Sequence, residues 1–176
     1  MKYFTLILAI LYSFVTTQAQ QKISRTMVTK MVPVKDSISL NKERQNSLST
    51  TLNTAVKDRT NILILSQTLK HTKDQQVSLI AGLRRREAYK VNISTVVSKY
   101  IGETEKNLNQ LFTAAATNNW VLYFDEADQL FANSKDQERI ANTIQKLALE
   151  KNVMSIFWCE EECLTSLGRS KYVLVQ

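Results

Sequence analysis

Five apolar residues, Trp120-Val121-Leu122-Tyr123-Phe124, end without transition in Asp125-Glu126, with Asp128 two residues on. That pattern reads as a buried strand that stops at a pair of carboxylates. In an open α/β sheet, chemistry collects at the carboxyl ends of the strands, where loops and helix N-termini converge on a crevice. Two adjacent acids at such a point can serve a metal-bound phosphate, one holding Mg²⁺ and the other orienting a water. The plainer alternative is a strand-to-loop junction whose acids cap the next segment, since short motifs match by chance often.

The stretch before it narrows the choice. Ser98-Lys99-Tyr100-Ile101-Gly102-Glu103-Thr104-Glu105-Lys106-Asn107-Leu108 leads into an amphipathic segment through Leu111 and Phe112, and only then comes the apolar-Asp-Glu-Ala-Asp run. In this order the motifs resemble the core of the AAA+ ATPases, most closely over residues 94–131 and more loosely over about 60–176. The resemblance implies that Asp125-Glu126 is the Walker B pair: Asp125 binds Mg²⁺ and Glu126 is the catalytic acid that activates water. It implies that Lys73 is the phosphate-binding lysine. Lys99-Tyr100-Ile101-Gly102 corresponds to the pore loop that grips polypeptide, and Arg169 falls loosely at an arginine finger.

Periodicity supplies the surrounding elements. Asn61–Leu65, Tyr89–Ile93, Trp120–Phe124, Val153–Trp158 and Tyr172–Val175 read as strands. Helices are expected from Ser39 or Asn41 to Lys57, with Leu48, Leu52 and Val56 on one face, and from Asp74 to Leu83, closed by Arg84-Arg85-Arg86. Two more run from Glu103 to Thr117 and from Asp136 to Glu150, the last carrying Ile140, Ile144, Leu147 and Leu149. Met27–Val34 alternates and contains Pro33, which suits an edge strand. Alternating strands and helices give an α/β fold: a three-layer, P-loop-NTPase-like sandwich on a parallel sheet of about five strands. Against the family pattern the chain is expected to have no C-terminal helical lid.

The phosphate loop is where the chain departs from that pattern. Such a loop wraps backbone N–H groups around phosphate and needs glycine, both for its backbone angles and for close approach. The chain has three glycines, Gly82, Gly102 and Gly168, and none lies in Ser66–Asp74. Asp74 stands where the family carries a Mg²⁺-coordinating hydroxyl, and a carboxylate there repels phosphate by about a kcal/mol or more. Cys159 falls near the polar sensor position, followed by Glu160-Glu161-Glu162. A thiol is a poor substitute for an amide in holding water.

Charge and the N-terminus bear on compartment and partner. The net charge is +7, with bases in excess through residues 21–100 and acids in excess over 101–150. No aromatic ladder accompanies the bases, so nucleic acid is not an expected partner. Met1-Lys2, the apolar run Tyr3–Val15 and Thr17-Gln18-Ala19 form the n-region, h-region and small-x-small pattern of a signal peptide, too short to span a bilayer. The expected organisation is a signal peptide over 1–19, a basic segment plus helix over 20–60, and a degenerate AAA+ core over 61–176. The product is exported, periplasmic or secreted, without a stable membrane anchor. Cys159 and Cys163 either pair in an oxidising compartment or remain thiols, and both readings stand.

The functional expectation is an exported pseudo-ATPase that binds a protein or peptide partner and carries no cofactor. The alternative is an active Mg-ATP-binding ATPase with an atypical Walker A loop. A bare Ca²⁺ or Mg²⁺ site on Asp125, Glu126 and Asp128 is a third, weaker reading. Family members commonly form hexameric rings, an assembly that relies on nucleotide and lid, so a homo-oligomer is a secondary expectation.

Overall fold

In the computed structural model, the described residues are 26–32, 42–57, 61–65, 72–131, 135–159 and 173–175. Their elements follow in the order β1 (Val28–Lys30), α1 (Lys42–Lys57), β2 (Ile62–Leu65), α2 (Lys73–Leu83), β3 (Glu87–Val91), α3 (Ile93–Val96), α4 (Ile101–Asn118), β4 (Trp120–Phe124), α5 (Asp128–Phe131), α6 (Lys135–Glu150), β5 (Ser155–Trp158) and β6 (Val173–Val175). The six strands form one sheet in the order β1-β3-β4-β5-β2-β6. All pairings are parallel except β1 with β3, which runs antiparallel and closes one edge.

Strands buried on both faces are largely apolar, as β2 and β4 are throughout and β5 is after Ser155, and here they separate two cores. On one face Ile62, Ile64, Leu122, Phe124 and Phe157 meet Leu108, Leu111 and Phe112 of α4 and Ile140, Ile144 and Leu147 of α6. On the other, Leu63, Leu65, Val121, Tyr123, Ile156 and Trp158 meet Leu48 and Leu52 of α1 and Val77 and Ile80 of α2. Phe124 and Phe157 face each other in register and stack with ring centroids 4.6 Å apart. The architecture is the expected three-layer α/β sandwich, with one strand more than five.

Several expected boundaries shift for identifiable reasons. The strand expected at Tyr89–Ile93 runs two residues earlier, because α2 ends in a tight reversal. Arg85 takes the left-handed conformation with φ 53°. The Arg85 N–H reaches the Gly82 carbonyl at 3.0 Å, and the Arg86 N–H reaches Ala81 at 3.0 Å. That is the Schellman pattern, and it delivers the chain straight into β3. The same pattern recurs after α6, with Asn152 at φ 52° and the Val153 N–H on the Ala148 carbonyl at 3.0 Å. In α6, Ile140, Ile144 and Leu147 are buried as expected, but Leu149 is 61 % exposed, and Ala141 and Ala148 complete the apolar stripe instead. In α1, Ala55 joins Leu48 and Leu52 in the core; the side chain of Val56 and the expected caps Ser39 and Asn41 lie outside the described residues.

Candidate functional site

β4 ends where the sequence placed its acids. Directly after Phe124 the chain leaves the sheet, and Glu126 takes a left-handed backbone at φ 52°. The next residue, Ala127, is fully buried, and its N–H donates to the Trp158 carbonyl at 3.0 Å, tying the end of β4 to the end of β5. A non-glycine residue at positive φ is strained, and such strain gathers at sites where a turn must aim a side chain. Here the turn sends Asp125 back across the strand ends and leaves Glu126 exposed.

Asp125 is the centre of the cluster. Its side chain is only 8 % exposed, yet three groups reach it. Lys73 Nζ, from the first residue of α2, lies 2.7 Å from Oδ1, and the Tyr123 hydroxyl donates to the same oxygen at 3.0 Å. Lys90 Nζ, from β3, lies 2.6 Å from Oδ2. Lys73 also sits over the Trp158 ring, 4.3 Å from its centroid, a position in which the aromatic face favours a cation. Strand register explains the gathering: Lys90 pairs with Tyr123 across β3 and β4.

The titration behaviour follows from this packing. Burial is the largest single influence on the Asp125 carboxyl and pushes it up. The hydrogen bonds from Lys73, Lys90 and Tyr123 together outweigh burial, so the carboxyl is held below its ordinary range. Lys90 is raised, chiefly by its bond to Asp125 and against partial desolvation. The Tyr123 hydroxyl is pushed far up by burial and then by the Asp125 charge, so it remains a donor at any physiological pH. Beside the cluster, a cleft of about 310 Å³ is lined by Lys90, Asn92, Ser94, Asp125 and Glu126, among others.

The remaining sequence-predicted residues fall into separate groups. Lys99 and Tyr100 are exposed at a bend that precedes α4, Tyr100 at 65 %. The bend is braced from behind: the Ser98 N–H donates to Thr104 Oγ1 at 2.9 Å, and Ser98 Oγ bonds the Glu103 carboxylate. The Tyr100 carbonyl accepts the Glu103 and Thr104 N–H groups at 3.0 and 3.2 Å, opening the helix. The expected connection over 94–102 is therefore shorter. α3 occupies its start, Ile101 packs partly into the core, and Gly102 lies in the first turn of α4 with no neighbour within 4 Å of an added Cβ. Arg169, most of the expected phosphate loop (66–71), Glu160–Glu162, Cys163 and residues 1–19 lie outside the described residues. Cys159 is buried and its sulfur is disulfide-bonded, so it offers no thiol at the sensor position.

Three site members were not legible beforehand: Lys90, Tyr123 and Trp158. Their only signal was position at or near the carboxyl ends of neighbouring strands, which becomes informative once strand order is known. The expectation of a bare metal site on Asp125, Glu126 and Asp128 is corrected. Among the described residues no group of three or more His, Cys, Asp or Glu side chains is gathered to hold an ion, because Asp125 turns toward two lysines.

A mostly parallel sheet covered on both sides by helices is an α/β sandwich of P-loop-NTPase-like type. Residues 75–160 match the model of the ATPase family associated with various cellular activities, the AAA family. No curated protein matches the chain.

Proposed function

We propose that this chain is an exported AAA-type module that does not turn over ATP and works by binding a protein or peptide. One observation carries the loss of turnover: both oxygens of Asp125 are committed, one to Lys73 and Tyr123 and the other to Lys90. In an ATPase, the lysine faces phosphate and the aspartate faces Mg²⁺. Here the two neutralise each other with a second lysine in support. Asp74, adjoining Lys73, adds negative charge where a hydroxyl is needed, and Asp74 and Glu126 both act electrostatically on Lys90. Lys73 and Lys90 against Asp74, Asp125 and Glu126 leave the cluster with one net negative charge, a poor match for a triphosphate. Among the described residues, this cluster is a poor fit for Mg-ATP.

Binding to polypeptide is supported by Tyr100, which projects from a braced bend beside Lys99 rather than packing on the sheet. Exposed tyrosines on rigid supports are efficient anchors, because little side-chain freedom is lost on contact. Export is supported by the leader-like pattern of residues 1–19 and by the disulfide at Cys159, a bond that persists in oxidising compartments.

Calorimetry of the full chain with Mg-ATP tests the first part, and no binding at micromolar nucleotide is expected. The second reading, an active ATPase with an atypical phosphate loop, draws on the same contact, since Lys73 and Asp125 do meet at the strand ends. In that reading Lys73 serves phosphate, Asp125 Mg²⁺ and Glu126 water. Micromolar binding abolished by Lys73→Ala would establish it and overturn ours. For the second part, the probe is fluorescein-labelled carboxymethylated casein, a permanently unfolded chain. Tyr100→Ala is expected to weaken its capture; unchanged capture rejects the anchor.

A further inference from the structure

At the edge of the sheet where β1 pairs with β3, a cavity of about 220 Å³ lies between the end of β1, the C-terminal half of α2 and the start of β3. Met31, Ala81, Gly82 and Ala88 supply apolar or featureless wall, while Lys30, Arg86, Glu87 and Ser78 supply the polar atoms. The Ser78 hydroxyl is buried there and has no hydrogen-bond partner among the described residues. Lys30 and Glu87 pair with each other, whereas Arg86 makes no ion pair among the described residues. Two cations against one anion leave the lining with a single positive charge, carried by the unpaired guanidinium. The backbone of Arg86 is fixed, since its N–H closes the reversal after α2.

We propose that this cavity binds a monocarboxylate borne on a short apolar chain, with Arg86 receiving the carboxylate and the hydrocarbon lying over Met31, Ala81 and Ala88. The volume suits a branched chain of a few carbons, below the size of a drug-like ligand. A planar guanidinium matches a carboxylate in two parallel bonds. Glu87 at the rim disfavours a dianion, which separates this site from a phosphate site. The Ser78 hydroxyl gains the partner it lacks. Such a carboxylate belongs either to a free short-chain acid or to the last residue of a polypeptide, and both present the same chemistry. The cavity shares no residue with the Asp125 cluster or the Tyr100 bend, so the inference stands or falls apart from the proposed function.

The test is titration of the isotope-labelled full chain with 4-methylpentanoate, followed by amide NMR shifts. Its neutral amide, 4-methylpentanamide, and inorganic phosphate serve as controls. Saturable shifts at Met31, Ser78, Gly82 and Ala88 are expected with the acid. The neutral amide and the Arg86→Gln variant are each expected to bind about tenfold or more weakly, the loss of a charge-assisted bond. A peptide ending in leucine that binds more tightly than the free acid identifies a polypeptide terminus as the source; equal or weaker binding identifies a small acid. Absence of shifts at these residues, equal binding of the neutral amide or phosphate, or undiminished binding by Arg86→Gln would overturn the proposal.

Discussion

At the scale of single residues, Asp125 shows how a buried charge is kept tolerable. Desolvation alone would drive it toward protonation, and two ammonium groups and a phenol prevent this. Its folded pKa lies below the unfolded value. The stability it contributes is therefore present above about pH 4 and is lost as pH falls through the folded pKa. Asp125→Asn is expected to flatten the acid limb of a stability–pH curve measured by urea unfolding. Lys73, with its side chain 22 % exposed, is the more enclosed of the two lysines. Lys73→Met is expected to cost about 2 kcal/mol, since it strips a charge-assisted bond from a buried carboxylate. Combining it with Asp125→Asn should recover part of that loss, and a double-mutant cycle in urea reads the coupling.

At the scale of elements, three helices among the described residues end on non-glycine residues in the left-handed region: Arg85 after α2, Asn119 after α4 and Asn152 after α6. Asparagine tolerates that conformation; arginine does so at a cost. Arg85→Gly is expected to raise stability by about 0.5–1 kcal/mol, read as an upward shift in the thermal midpoint. α6 offers a contrast within three residues. Leu147→Ala removes a buried side chain and is expected to destabilise by about 2–3 kcal/mol, whereas Leu149→Lys, at an exposed position, should be within about 0.5 kcal/mol of neutral. Periodicity alone admitted Leu149 to the apolar face, because it sits one step from the stripe and only the neighbouring helix decides which side of it is covered. α4 and α6 pack on each other, and that contact selects Ala148 over Leu149.

At the scale of the whole molecule, stability should fall from the middle of the sheet outward. β4 and β5 are flanked on both sides and covered on both faces, whereas β1 and β6 are three-residue edges. Amide exchange is expected to be slowest at Leu122, Tyr123 and Ile156 and fastest along β1 and β6. Phe124→Ala, which empties the stack with Phe157, is expected to cost about 3–5 kcal/mol and to lower the midpoint of one cooperative unfolding transition.

What the sequence determined by itself was the alternation of elements and the family core. Uniformly apolar runs of four or five residues, interleaved with helical stripes, have few arrangements other than a parallel sheet between two helix layers. The motif order around Tyr100 and Asp125 then needed no coordinates to be read. The partners of Asp125 were decided only by the tertiary structure. Lys73, Lys90 and Tyr123 are far apart or differently placed in the chain and converge because β3 and β4 are neighbours and α2 begins at the same end of the sheet. Charge pairing acts over a few ångströms. The sequence could name the acids, but only the fold could bring two lysines to the same carboxylate.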